Sequence, residues 1–67
     1  MIYYSDKHNK LNPLHTYMVD GVKRVYLGFT HIDGGRDVQY RFKSKGLDLY
    51  SNKTAKELDK ADIFLIN

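Results

Sequence analysis

Thr30-His31-Ile32-Asp33-Gly34-Gly35-Arg36-Asp37-Val38-Gln39 decides the fold. A two-residue Gly-Gly loop between runs rich in β-branched and aromatic residues predicts a hairpin, and its position fixes the register. With Gly34 and Gly35 in the loop, Phe29 lies opposite Tyr40 and Leu27 opposite Phe42, which forms one apolar face. On the other face Gly28 meets Arg41, Tyr26 meets Lys43 and Arg24 meets Lys45. An unbroken ladder therefore predicts a core of Leu27, Phe29, Tyr40 and Phe42 backed by a basic, tyrosine-bearing surface.

Working outward, Asp20-Gly21 is a second hairpin signal. As a two-residue loop it sets Thr16 opposite Val25 and Leu14 opposite Leu27, sending Leu14 and Met18 to the core and His15 and Tyr17 to the basic face. Three strands in a meander follow. Ile2-Tyr3-Tyr4 has strand character, and Ser5 to Asn12 reads as a polar loop closed by Pro13. Past Gly46, Leu47 and Leu49 alternate with Asp48 and Tyr50 as in a half-buried extended segment. Thr54-Ala55-Lys56-Glu57 has the capping-box pattern that starts a helix, and Ala55, Leu58 and Ala61 give it a narrow apolar stripe. Ile63-Phe64-Leu65-Ile66 is continuously apolar, as expected of a strand covered on both sides, the alternative being a helix continued through Leu65. The class is α+β: a three-strand antiparallel meander plus a C-terminal strand, with one short helix, the alternative being a small SH3-like barrel.

Sixty-seven residues suit one domain spanning 1–67, with a core only just large enough to hold a fold. Cysteine is absent, so neither a disulfide framework nor a thiolate metal site supports that core, and a reducing, cytoplasmic setting is expected. The first residues lack the pattern of a signal peptide, and no apolar run has the length of a membrane span. In style the Lys-, Tyr-, Asn- and Asp-rich composition resembles the short accessory proteins of phages and mobile elements.

Eleven Lys and Arg against eight acidic residues give +3, which suits nucleic acid or an acidic protein surface as partner. The candidate binding residues are Arg24, Tyr26, Arg41, Lys43 and Lys45, joined by Tyr17 and His15. Cations would meet phosphates and tyrosine rings would stack on bases, while Gly28 leaves room for close approach. Ordinary solvation of one sheet face accounts for the same residue types without any ligand.

Chemistry beyond binding has little support in the sequence. His8, His15 and His31 do not recur at metal-ligand spacing, and His31 is expected as a packed or rim histidine. Asp33 and Asp37 fit turn chemistry, whereas Asp48, Asp59 and Asp62 read as solvated. No catalytic residue, metal or cofactor is expected. Two functions follow: a non-enzymatic nucleic-acid-binding protein, or an accessory protein that modulates a host protein through the basic face or an exposed strand edge. That edge also offers a route to a homo-oligomer.

Overall fold

The computed structural model describes residues 2–44, 46 and 48–66. Its elements in chain order are β1 (Thr16–Val19), β2 (Val22–Ile32), β3 (Asp37–Ser44), β4 (Tyr50–Thr54), helix α1 (Ala55–Lys60) and β5 (Ile63–Leu65), preceded by a 3-10 turn over His8–Lys10. They form one antiparallel sheet in the order β4-β3-β2-β1-β5, with α1 as the short helix of an α+β fold. Among the described residues β4 and β5 stand at opposite edges without pairing. The sheet is therefore open, and the closed barrel expected as the alternative is not formed.

Both turn signals set the register as expected. Gly34 (φ 64°) and Gly35 (φ 88°) take the two left-handed conformations of a tight hairpin turn, closed by the Arg36 N–H on the Asp33 carbonyl at 3.1 Å. Phe29 then pairs with Tyr40 and Thr30 with Gln39. Asp20 (φ 50°) and Gly21 (φ 83°) do the same between β1 and β2, pairing Thr16 with Val25.

Halfway along β2 the ladder slips. Tyr26 pairs with Phe42 and Gly28 with Arg41, so Leu27 is an extra residue opposite no partner of its own. Gly28 takes φ +114°, a conformation other residues rarely adopt, and so admits this β-bulge. Because side chains alternate faces, one extra residue inverts everything on its far side. Tyr26 replaces Leu27 on the core face, and Leu27 turns away, half-buried.

That face packs beneath α1 and the N-terminal segment. Leu11, Tyr17, Val19, Tyr26, Val38, Tyr40, Phe42, Ala55, Leu58 and Ala61 make the core. The apolar stripe of the helix is buried as its spacing predicts. Thr54 and Glu57 close the capping box in both directions, at 3.3 and 2.9 Å.

Other expectations change. Residues 2–4 form no strand, and His8–Lys10 is a 3-10 turn where a plain loop is expected. Leu49, expected in a half-buried extended segment, is exposed and Leu47 lies outside the described residues; the polar stretch Tyr50–Thr54 is instead the fourth meander strand, held by backbone pairing to β3 in the absence of apolar alternation. Leu14 is exposed at φ 69°, Met18 points to the face opposite Tyr17, and Phe29 is a partly exposed rim residue. Ile63 to Ile66 is not covered on both sides: among the described residues β5 is an edge strand paired only to β1, with Ile63 packed partly against the core but Phe64 54% and Leu65 55% exposed.

Candidate partner-binding surfaces

The bulge breaks up the basic, tyrosine-bearing surface. Tyr17 (3% exposed) and Tyr26 (2%) are core residues, so neither ring is presented to a base. Arg24 shares their face, where its Nη1 donates to the Ser44 hydroxyl at 3.0 Å. Tyr17 is held from both sides of its hydroxyl, accepting from the Asn12 N–H at 2.7 Å and donating to the Lys10 carbonyl at 3.4 Å. Burial pushes the Tyr26 phenol up to about 12.

Arg41 and Lys43 remain on the opposite face. Arg41 is exposed beside Asn52, while Lys43 pairs across strands with exposed Tyr50 and lies 3.3 Å from the Asp48 carboxylate. Tyr50 thus takes the place expected of Tyr26, a substitution that only the fourth strand makes visible. His15 is exposed at the start of β1, and Lys45 lies outside the described residues.

A second surface lies at the other edge of the sheet. The Asp20 N–H donates to the Asp62 carbonyl at 2.8 Å, and the Ile66 N–H to the Thr16 carbonyl at 2.9 Å, bracketing the β1–β5 ladder. Antiparallel bonding alternates, so Phe64 faces Met18 with its backbone groups. The N–H and C=O of Ile63 and Leu65 therefore point away from β1, toward the open side. The side chains of Ile63 and Leu65 lie on the face of Tyr17 and Val19, and Phe64 lies on the other. Between β5 and the N-terminal segment runs a groove of about 230 Å³, lined by Leu11, Tyr17 and all three residues of β5, together with Lys7 and Lys10.

Asp59, expected as a solvated residue, ties the N-terminal segment to α1. Its carboxylate accepts from the Tyr3 and Ser5 hydroxyls and from the Asp6 N–H, the last at 2.9 Å. The Ser5 and Tyr3 hydroxyls hold it below the usual carboxylate range. Lys7 Nζ donates to the Ala61 carbonyl, binding the same segment to the end of α1. No single sequence motif announces this knot, because its members lie more than fifty residues apart.

The histidines form no metal cluster among the described residues. His31 is a rim residue as expected, sharing a 2.9 Å hydrogen bond between Nε2 and the Tyr4 hydroxyl. His8 packs edge-on against Phe29, with ring centroids 4.7 Å apart. Among the described residues no helix is long and apolar enough to cross a membrane. No protein-family model matches the chain, and comparison with curated proteins and with solved structures returns no match.

Proposed function

We propose that the chain is a non-enzymatic binding protein that engages a protein partner through the β5 edge, as an accessory protein modulating a host factor would. One observation carries this reading: three consecutive apolar side chains, Phe64 and Leu65 on β5 and Ile66 just beyond it, are exposed, and among the described residues the outer backbone edge of β5 is unpaired. Isolated domains blunt such edges with charge, proline or a covering loop, and an apolar open edge is a template for another chain. The strand order, with β5 returning to β1 across a short helix, supports reading the fold as an opened SH3-like arrangement.

A second reading keeps nucleic acid on the opposite face. Arg41, Lys43 and Tyr50, adjacent on β3 and β4, favour it through paired cations and one exposed ring. It is the weaker of the two, since both of its expected tyrosines, Tyr17 and Tyr26, are core residues.

Capture from a cognate lysate, with and without nuclease treatment, separates the readings. Leu65→Lys should abolish capture with the fold intact by circular dichroism, whereas the Arg41→Gln/Lys43→Gln variant should capture as the parent does. Nuclease-sensitive capture, lost in the double variant and kept in Leu65→Lys, would place function on the other face.

A further inference from the structure

We infer that the β5 edge accepts an extended segment of another protein, which adds as a sixth strand, seats an apolar side chain in the groove and places acidic residues on the Lys7–Lys10 rim. This rests on the protein-binding reading above and specifies its partner. Three features of one place converge on it. The outward N–H and C=O groups of Ile63 and Leu65 supply the hydrogen bonds that an added strand completes. The groove under Leu65, floored by Leu11 and Tyr17, takes one side chain of such a strand, because alternate residues of an extended segment point to the same face. Lys7 and Lys10 make its rim cationic, so an acidic residue two positions from the anchor gains where a basic one loses.

Charge also argues against a second copy as occupant. Antiparallel pairing of two β5 strands about a two-fold axis keeps both covered faces on the same side. The rims of Lys7 and Lys10 from both copies would then line one seam, in a chain that already carries +3. Asp62, at the start of β5, lies with its N–H on the Asp20 carboxylate at 2.9 Å, and the Asp20 carboxylate is also 3.6 Å from Lys53. These acids gather at the Asp62 end, so the acidic residues of a partner belong at the Leu65 end, beside Lys10.

The test uses a capped heptapeptide with leucine at its centre, aspartate two residues to either side of it and threonine at the positions between, its counterpart with lysine for aspartate, and a version N-methylated at the central amides. Titrated into the full chain and followed by NMR, the acidic peptide should shift the Ile63 and Leu65 amides and slow their exchange with solvent. It should bind about fivefold more tightly than the lysine peptide, a preference that Lys10→Glu removes. N-methylation should abolish binding by blocking the added ladder. Equal binding of both peptides, or shifts confined to other strands, would overturn the proposal. So would a concentration-dependent dimer of the free chain that protects the same two amides, since the edge would then belong to a second copy. Should peptides fail while lysate capture still depends on Leu65, the edge reading stands and the acidic extended segment is wrong. Loss of both would remove the edge reading as well.

Discussion

Tyr26 and Gly28 decide which side of this sheet meets solvent. An aromatic ring flanked by Val25 and Leu27 reads equally well on either face, and only the glycine two positions later, at φ +114°, signals that the strand slips. A glycine within a strand marks a bulge at least as readily as room for a ligand, and here it is the bulge. Tyr26 thereby changes from a candidate stacking residue to a core residue, and the expected effect of its loss changes too. Tyr26→Ala should cost about 3 to 5 kcal/mol, a large part of the stability of a domain this small. Tyr26→Phe should instead alter the response to alkali. An unfolded chain ionises its tyrosines near the ordinary 10.0, while burial raises Tyr26 to about 12 when folded. The stability contributed by the neutral buried phenol is full below pH 10 and declines as pH rises through about 12. Melting temperatures measured from pH 9 upward should fall less in Tyr26→Phe than in the parent; identical slopes would mean that Tyr26 is not buried as described.

At the level of elements, both hairpins and the helix start were legible because each depends on local chemistry. Gly34-Gly35 and Asp20-Gly21 supply positive φ, and Thr54 with Glu57 supplies the cap. Faces were not legible, since the bulge leaves the pairs next to the Gly34-Gly35 turn as expected and shifts those beyond it by one residue, so that Tyr26 meets Phe42 and β1 follows on the inverted face. β4 was missed because Ser51, Asn52 and Lys53 lack apolar alternation and are strand only by pairing with β3. Equally hidden was the N-terminal strap, where Tyr3, Ser5 and Asp6 converge on Asp59 of α1. This strap has a pH signature. Its hydrogen bonds lower the Asp59 pKa below the ordinary 3.8, so they stabilise the fold above that value and the contribution is lost as pH falls through the lowered one. In acid the amides of Ser5 and Asp6 should lose protection before those of β2 and β3, and Asp59→Asn should show the same loosening already at neutral pH. Simultaneous loss across all strands in the parent would show that the strap does not act separately.

For the molecule as a whole, the decisive feature is an asymmetry between its two ends. Both end strands leave an outer backbone edge, but β4 is polar over Ser51 to Lys53, is tied back by Lys53 to Asp20 and leads directly into α1, whereas β5 carries apolar side chains into solvent. Such an edge is costly to leave open and useful to a partner, which is why the proposed function is assigned to it in preference to the dispersed cations. Amide hydrogen exchange of the dilute free chain tests that claim most directly. Phe64 and Ile66, bonded inward to β1, should exchange slowly, while Ile63 and Leu65 should exchange at nearly the rate of an unstructured peptide. Protection of Ile63 and Leu65 equal to that of their neighbours would contradict the account, because the edge would already be covered and no partner strand could add to it.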